Sequence, residues 1–337
     1  MADVLGQLEA TVAGRGLPAL ARNLGALAEL VGPDLAWCEE SLRRIEELRA
    51  PTAVARSARH LIELGGKRLR PLCVALAARA GNGFGAAARQ LAVAVELVHT
   101  ATLLHDDVVD VGDTRRGAPA ARVVYGNAAS IFAGDWLLVE ALRRVRAAAV
   151  PDALDRLLDI IEEMIMAEST QLDRRGVMVA DRAAYFRVVE GKTASLFRWA
   201  LWAGGRAGGL DERACRALES YGHHLGVAFQ AVDDLLDLTG SAEALGKRLF
   251  ADLGEGKMTF PLIVAVEREP ELQDALDRGA PPAEILEGVV RAGGIEACAA
   301  LARAHVAEAT GCLAALPPSR ARDCLVTVAE AAIARDR

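Results

Sequence analysis

The chain has 337 residues and a mass of 35.6 kDa, and 52% of its residues are hydrophobic while only 4% are aromatic. This composition favours closely packed helices over a β-sandwich. The 25% of charged residues is ordinary for a folded protein and argues against a disordered chain. The net charge of −7 argues against a general nucleic-acid-binding protein, although it leaves room for a local basic patch.

The N-terminus and the cysteines indicate a cytoplasmic protein. Met1 to Val4 has no basic residue followed by an apolar core, so we expect no signal peptide. No uninterrupted apolar run reaches the roughly 18 residues of a membrane span. The cysteines are scattered and form no CxxC pair, which predicts buried free thiols rather than a zinc or redox site.

Apolar spacing predicts helix after helix along the chain. A helix that is apolar on all sides is expected over 91–110, followed by helices over 152–171, 185–203 and 218–238 and an Ala-rich helical tail. Loops are predicted at 65–66, 81–83, 113–119, 204–209 and 240–258. The sequence has no strand–helix alternation and no Gly/Ser/Pro-rich linker, so we expect an all-α fold with a single domain over 1–337.

The first of two aspartate clusters, Asp106, Asp107 and Asp110, closes the predicted buried helix. Residues four apart stack on one helical face, so Asp106 and Asp110 should repel each other, and apolar surroundings strengthen the repulsion. We therefore expect cations to hold them together. A helix end with solvated acids is a poor alternative, because helix C-termini favour cations.

The second cluster, Asp233, Asp234 and Asp237, repeats the spacing after another apolar segment, 225–232. Carboxylates are hard oxygen ligands that suit Mg²⁺, an ion often shared between protein and substrate phosphates. Two DDxxD clusters therefore predict a site in which Mg²⁺ holds a diphosphate.

A rival interpretation starts from two histidines. His60 together with His105-Asp106 is the kind of set that holds two metals for phosphate hydrolysis. This interpretation leaves the second aspartate cluster unexplained, and such an enzyme would release phosphate without an apolar co-substrate.

Basic residues occur where a diphosphate would need them. The segment 65–71 (GGKRLRP) is a glycine turn with three cations, and glycine lets the backbone approach an anion closely. The other candidates, together with one hydroxyl, follow the two clusters or interrupt an apolar helix, and they are Arg115, Arg116, Lys192, Thr193, Lys247 and Lys257. Together these residues predict ionisation of a phosphorylated, largely apolar substrate inside a helical bundle.

On these motifs the chain resembles the trans-isoprenyl diphosphate synthases, also called polyprenyl synthetases. The matching stretches follow in order, and they are 65–71 (GGKRLRP), 103–110 (LLHDDVVD), 115–117 (RRG), 191–194 (GKTA), 229–237 (FQAVDDLLD), 252–253 (DL) and 256–259 (GKMT). The resemblance implies an all-α helical bundle with a central active-site cavity, usually assembled as a homodimer. It also implies head-to-tail condensation of isopentenyl diphosphate with an allylic diphosphate such as geranyl or farnesyl diphosphate.

The resemblance implies a role for each candidate residue. Both aspartate clusters bind Mg²⁺, and the first also binds the allylic diphosphate. Further contacts to the allylic diphosphate come from Arg115, Lys192, Thr193, Gln230, Lys247 and Lys257. The isopentenyl diphosphate is bound by Lys67, Arg70, His99 and Arg116. In the implied mechanism an allylic cation forms, Lys192, Thr193 and Gln230 steady it, and the released diphosphate takes the final proton.

Small residues before the first cluster bear on product length. Short-chain members of the family tend to carry large aromatic residues four and five positions upstream of the first aspartate, where this chain has Thr102 and Ala101, with Val98 further back. The resemblance therefore points to a medium or long product, C30 to C50, such as a quinone side chain. The alternatives are a short C15–C20 product, or small residues that merely pack against another helix.

The chain departs from the family pattern at a few positions. Arg248 and Phe250 stand where Pro and Gly are common, and Ala128 stands where many members carry Lys. Other enzymes of this fold, a terpene cyclase or a head-to-head condensing enzyme, would not need Lys67 and Arg70. A non-catalytic partner subunit would be expected to lose its acidic clusters, and this chain keeps both.

Overall fold

The computed structural model of the protein describes residues 18–45, 52–240 and 249–334. The predicted diphosphate contact Lys247 and the departure at Arg248 lie outside the described residues.

The described chain is almost entirely helical, which confirms the predicted all-α fold. In chain order the helices are α1 (Pro18–Arg44), α2 (Ala53–Glu63), α3 (Leu69–Arg79), α4 (Ala86–Val109), α5 (Ala121–Tyr125), α6 (Asn127–Ala148), α7 (Ala153–Asp173), α8 (Arg182–Val188), a π-helical segment (Val189–Ala194), α9 (Ser195–Ala207), α10 (Glu212–Thr239), α11 (Ala251–Gly254), α12 (Phe260–Arg268), α13 (Glu271–Asp277), α14 (Pro282–Arg291), α15 (Gly294–Cys312), a 3₁₀ turn (Leu313–Ala315) and α16 (Arg320–Ala334). Two short strands, β1 (Thr114–Arg115) and β2 (Ala118–Pro119), precede α5.

Helix α4 lies at the centre of the fold. It packs against α6, α3 and α9, while α10 packs against α9, α15 and the π-helical segment. Residues 91–98 of α4 are fully buried around the whole circumference of the helix, as its uniformly apolar sequence predicts. The first aspartate cluster therefore lies at the end of a helix that the core surrounds on every side.

Glycine allows α9 to lie close to α3. A Cβ atom at Gly204 would be 2.5 Å from the carbonyl oxygen of Val74. The predicted loop over 204–209 is wrong at its start, because α9 continues through Gly204 to Ala207. This glycine serves close helix packing rather than helix termination.

The predicted loop over 113–119 contains a short β-hairpin in which β1 and β2 pair antiparallel. Its two turn residues, Arg116 and Gly117, have φ angles of 55° and 76°, the left-handed values that a two-residue hairpin requires. This hairpin has no signal in the sequence, because arginine is uncommon in the left-handed region. Arg115 lies in strand β1 and Arg116 lies in the turn, so the two neighbouring arginines have different backbone conformations.

The cysteines follow the prediction. All six are free thiols, and all are buried except Cys312, which is half-buried. Burial raises the pKa of Cys38 and of Cys73 to about 12, so both thiols are protonated at neutral pH.

Across the described ranges, none of the helices has the length and apolar character needed to cross a membrane.

Candidate active site

The π-helical segment links the two aspartate clusters. Nζ of Lys192 lies 3.6 Å from Oδ2 of Asp106, and Oγ1 of Thr193 donates to Oε1 of Gln230 at 2.9 Å. Nε2 of Gln230 in turn donates to Oδ1 of Asp234 at 3.0 Å. The structure thus brings residues from three distant parts of the sequence into one site.

Asp107 is the most deeply buried member of the first cluster. Arg115 donates to its Oδ1 through Nε at 2.9 Å and through Nη2 at 2.5 Å. Its Oδ2 is buried and has no hydrogen-bond partner among the described residues. A buried carboxylate oxygen without a partner is costly, so this atom marks a place where a further cation would be favourable.

Asp106 shares a cation with a carboxylate of α7. Lys192 lies 2.5 Å from Oε2 of Glu168, closer than it lies to Asp106. Burial raises the pKa of Asp106 above its usual value, and Glu168 and Asp110 act in the same direction, whereas Lys192 opposes them. The expectation that cations hold the first cluster together is therefore correct for Asp106.

Asp110, the residue directly after α4, has two basic neighbours. Nη2 of Arg175 forms an ion pair with its Oδ1, and Nζ of Lys257 lies 3.6 Å from its Oδ2. Lys257 also lies 2.5 Å from Oε2 of Glu255. The loop after α7 and the turn after α11 therefore both reach the first cluster.

Asp234 is the buried member of the second cluster. It accepts hydrogen bonds from the hydroxyl of Tyr185 at 2.7 Å and from the amide of Gln230 at 3.0 Å. Burial raises the pKa of this carboxyl to about 7, and the charge of Asp252 contributes to the shift. A carboxyl that titrates near neutrality beside a second carboxylate is poised to lose its proton when a cation arrives.

The other two members of the second cluster differ in their surroundings. Both carboxylate oxygens of Asp237 accept backbone N–H groups, those of Ala251 and Asp252, at 3.2 Å each. Asp237 therefore orders the segment at the start of α11, and its predicted role as a metal ligand stays a prediction. Burial lowers the pKa of the Arg70 guanidinium, and the charge of Asp233 nearby acts in the opposite direction.

Close helix packing fixes the π-helical segment. A Cβ atom at Gly191 would be 2.6 Å from Cβ of Ala167, and one at Gly226 would be 2.4 Å from Cα of Ala194. The two glycines allow the segment to fit tightly against α7 and α10, which places Lys192 and Thr193 at the site. The prediction of one regular helix over 185–203 missed this π-helical segment, a feature that is often found at functional sites.

A second group of cations surrounds the turn before α3. The Nζ of Lys67 lies 5.8 Å from the ring of Phe229, and the guanidinium of Arg70 lies 4.5 Å from the ring of Phe197. Nε of Arg70 is buried and has no hydrogen-bond partner among the described residues. Arg70 therefore has an unsatisfied donor that an anion would engage.

His99 and Arg116 belong to the same group. Burial lowers the pKa of His99 well below its usual value, and the charges of Arg70 and Arg116 lower it further, so the imidazole is neutral at neutral pH. The guanidinium of Arg116 lies against the glycine turn, where a Cβ atom at Gly66 would be 2.8 Å from Nη2. The sequence-predicted set Lys67, Arg70, His99 and Arg116 thus lies around one turn.

A cleft of about 180 Å³ opens over the second cluster. Its lining combines acidic, basic and apolar side chains from α7, α8, α10 and the turn after α11, and includes Lys192, Thr193, Gln230, Asp234, Asp252, Lys257 and Tyr185. The predicted chain-length residues do not line it. Val98 and Ala101 are buried in the main core, and Oγ1 of Thr102 donates to the backbone oxygen of His99 at 2.8 Å.

Sequence reasoning missed several residues of the site. Arg175, Glu168 and Tyr185 contact the predicted aspartates and lysine directly, and Asp252 acts on Asp234. The Arg174-Arg175 pair in the loop after α7 was the available signal for one of them. Glu168 and Tyr185 carried no signal, because single polar residues in helices are usually solvent-facing or structural, whereas Asp252 lies in the matching stretch 252–253 without a predicted role.

The histidines of the rival hydrolase interpretation point elsewhere. Nε2 of His60 lies 2.8 Å from the backbone oxygen of Pro119. Nε2 of His105 lies 3.1 Å from Oδ1 of Asp135. Each ring is engaged with a different partner, so the two do not form a shared metal site.

Comparison with known proteins decides the family. The model of the polyprenyl synthetase family matches residues 51–290 of this chain. The chain belongs to the polyprenyl synthetase family. It is therefore a prenyltransferase, and the resemblance inferred from the motifs is confirmed.

Relatives within the polyprenyl synthetase family match nearly the whole chain. The chain is 34% identical over 327 residues to the octaprenyl diphosphate synthase of Escherichia coli (strain K12), covering 94% of this chain and 100% of that protein. It superposes with a TM-score of 0.86 and 35% identity on a polyprenyl synthase from Caulobacter crescentus CB15, complexed with calcium and isoprenyl diphosphate, covering 93% of this chain and 98% of that one. A decaprenyl diphosphate synthase from Rhodobacter capsulatus gives a TM-score of 0.84 at 34% identity, covering 92% and 98%.

Proposed function

We propose that the protein is a Mg²⁺-dependent synthase that condenses isopentenyl diphosphate head to tail with an allylic diphosphate to make an all-trans polyprenyl diphosphate. The observation that carries this proposal is the contact chain from Asp106 through Lys192 and Thr193 to Gln230 and Asp234. It connects the two carboxylate clusters, and four of its residues, Lys192, Thr193, Gln230 and Asp234, line the cleft. Such a site suits a diphosphate whose leaving is assisted by metal, with an apolar tail sheltered by helices.

The donor set fits Mg²⁺. The carboxylate oxygens are hard ligands, Oδ2 of Asp107 is buried without a partner, and Asp234 titrates near neutrality at about 7. In the part of the chain that the structure describes, no three acidic, histidine or cysteine side chains converge on one ready metal position. That agrees with an ion that keeps waters and takes further ligands from substrate phosphates.

Two groups of cations support two diphosphate sites. The allylic diphosphate would contact Arg115, Lys192 and Lys257, the cations that now pair with the first aspartate cluster. The isopentenyl diphosphate would lie against the group around the glycine turn, with Lys67, Arg70, His99 and Arg116. When bound, Mg²⁺ would neutralise charge on the leaving diphosphate.

The remaining steps fall to the protein's own residues. Lys192 and Lys257 would share the charge of the departing diphosphate, which can afterwards accept the proton that the condensed cation loses as it becomes the product. Thr193 and Gln230 are hydrogen-bonded to each other, which holds their oxygen dipoles in fixed orientations. A fixed dipole aimed at a developing cation stabilises it without reorganisation.

We propose a medium or long product, C30 to C50, with a short C15–C20 product as the alternative. The small side chain of Ala101, buried one turn below the aspartates on α4, supports this length. The octaprenyl and decaprenyl products named for two relatives agree with it.

We also propose a homodimer acting in the cytoplasm, with the whole chain as one catalytic domain. Exposed apolar side chains on the neighbouring helices α6 and α7 support a dimer, because Phe132, Val139, Ile165 and Met166 are between 45 and 61% exposed.

Phe132→Glu should shift the mass measured by light scattering from two chains to one. Val290→Glu, at an equally exposed valine on α14, should leave it unchanged.

The decisive experiment incubates the purified protein with Mg²⁺, isopentenyl diphosphate and farnesyl diphosphate, and sizes the products by chromatography. We expect all-trans prenyl diphosphates of C30 to C50 and no turnover when EDTA removes the metal. A cyclic hydrocarbon, a head-to-head product or consumption of farnesyl diphosphate without isopentenyl diphosphate would contradict the proposal.

A further inference from the structure

Arg68 lies beneath the turn that carries the isopentenyl-diphosphate cations. Its Nε donates to Oε1 of Glu39 at 2.5 Å, and its Nη1 donates to Oε1 of Glu96 at 2.6 Å. The side chain of Arg68 is 6% exposed, and those of Glu39 and Glu96 are 9% and 3% exposed. Three charges that are shielded from water therefore join α1, the turn and α4.

The side chains of neighbouring cations in the turn point in opposite directions. Arg68 has φ 50° and ψ 32°, a left-handed conformation that is unfavourable for a residue with a side chain. Lys67 and Arg70, on either side of it, lie over aromatic rings of α10 and α9, whereas Arg68 points to the two buried glutamates. The anchored guanidinium holds the unusual conformation that exposes the other two cations to the site.

Glu96 also acts on the neighbouring cations. Burial lowers the pKa values of Arg70 and Arg116, and the charge of Glu96 opposes that effect. At Arg68 burial acts in the same direction, but Glu96 and Glu39 outweigh it, so the pKa of Arg68 is raised. Before a diphosphate binds, Glu96 therefore offsets the mutual repulsion of three guanidinium groups that lie close together.

Stability alone is a weak reason for such a network. Taking three charges out of water costs free energy that their attraction only partly returns, and apolar side chains of similar volume often serve a core as well or better. Buried ionic groups are best understood where they specify one geometry among several.

We propose that Glu39, Arg68 and Glu96 are positioning residues that hold Lys67 and Arg70 in the geometry that binds isopentenyl diphosphate. This proposal rests on the isopentenyl-diphosphate site proposed above. The three residues themselves lie below the site and do not contact the substrate.

The first test uses two adjacent glutamates of α1. Glu39→Gln keeps the size of the side chain but removes the charge that anchors Arg68, and we expect the KM for isopentenyl diphosphate to rise about tenfold. The KM for farnesyl diphosphate and kcat should each stay within about twofold. Glu40→Gln is the matched control, because Glu40 is exposed and pairs with Arg44 across the helix surface, and it should change none of these constants.

The second test distinguishes a positioning role of Glu96 from a direct effect of its charge on anion binding. Glu96→Gln removes a negative charge near an anion site, so a pure field effect would lower the KM for isopentenyl diphosphate. Positioning by Glu96 predicts the opposite, a higher KM. Arg68→Lys keeps the positive charge but a single ammonium does not reproduce the guanidinium fork, so this variant should also raise that KM selectively.

Lys67→Ala and Arg70→Ala test the underlying site separately. If neither raises the KM for isopentenyl diphosphate, the site assignment is wrong and the positioning role falls with it. If they do, but folded Glu39→Gln and Glu96→Gln leave that KM unchanged or lower it, the site stands and positioning is refuted. A lower melting temperature without a difference between the effects on the KM for isopentenyl diphosphate and the KM for farnesyl diphosphate would likewise refute positioning. It would leave a purely structural role.

Discussion

Replacing Gly66 by alanine should weaken binding of isopentenyl diphosphate without weakening the fold. The backbone at Gly66 does not have the left-handed φ found at Gly65, so alanine fits it. The new Cβ atom would lie 2.8 Å from Nη2, 3.0 Å from Cζ and 3.1 Å from Nη1 of Arg116. Since ordinary contact begins at about 3.4 Å, the guanidinium must move by at least about 0.6 Å.

That displacement sets the expected size of the effect. A hydrogen bond to a charged group is worth about 1.5–3 kcal/mol, or roughly tenfold to a hundredfold in binding. Because an arginine side chain can partly follow its ligand, we expect the lower end, a rise of about tenfold in the KM for isopentenyl diphosphate. Stability should be unchanged or slightly higher, since alanine restricts the unfolded chain by about 0.4–1 kcal/mol.

Steady-state kinetics with each substrate varied in turn, together with thermal melts, would test this. Gly65→Ala is the matched control: no atom lies within 4 Å of its new Cβ, but its φ of 74° strains alanine, so it should lower stability without a selective KM effect. In an Arg116→Ala background, Gly66→Ala should add nothing further. An equal tenfold rise in that background would show that the effect does not act through Arg116.

Three further predictions concern metal, pH and product length. Asp106→Ala should lower kcat by about a thousandfold or more in a protein with an unchanged melting temperature, and near-normal turnover at low Mg²⁺ would contradict the two-cluster site. Because the pKa of Asp234 is about 7 and metal binding needs the carboxylate, activity at limiting Mg²⁺ should fall as pH drops below about 7. Asp252→Asn removes a charge that raises this pKa, so the fall should move to lower pH, and an unmoved pH profile would exclude that coupling. Ala101→Phe or Thr102→Phe should shorten the product towards C15–C20 while isopentenyl diphosphate is still consumed, as chromatography would reveal; unchanged length in both would show that the growing chain does not pass these residues.

The aspartate clusters could be recognised in the sequence because their signal is local, and their role as metal ligands stays a prediction. A four-residue spacing after an apolar helix can be interpreted without knowing the fold, and so can a glycine turn rich in cations. The partners of these residues are not local. Arg175 pairs with Asp110 from 65 positions away, and Tyr185 reaches Asp234 across 49. Neither separation leaves a pattern in one sequence.

The fold shows the same division between local and distant causes. The buried helix over 91–110 was predictable because apolar residues occur on every face of it. The packing role of Gly204 was not predictable. A glycine can either end a helix or allow two helices to approach closely, and the position of Val74 decides between these two roles. The hairpin at Arg116 was missed because its conformation is set by the fold around it rather than by its residue type.

The π-helical segment restricts how the length of this chain can vary. Tyr185 precedes the segment and bonds Asp234, while Thr193 within it bonds Gln230. Deleting one residue between them would rotate one side relative to the other, because each residue of a helix advances the chain by a fixed angle. A side chain also finds no space at Gly191, since a Cβ atom there would lie 2.6 Å from Cβ of Ala167. A deletion of the kind that surface loops accept would therefore move Tyr185 or Thr193 away from its partner, so the number of residues in this short stretch matters as much as their identity.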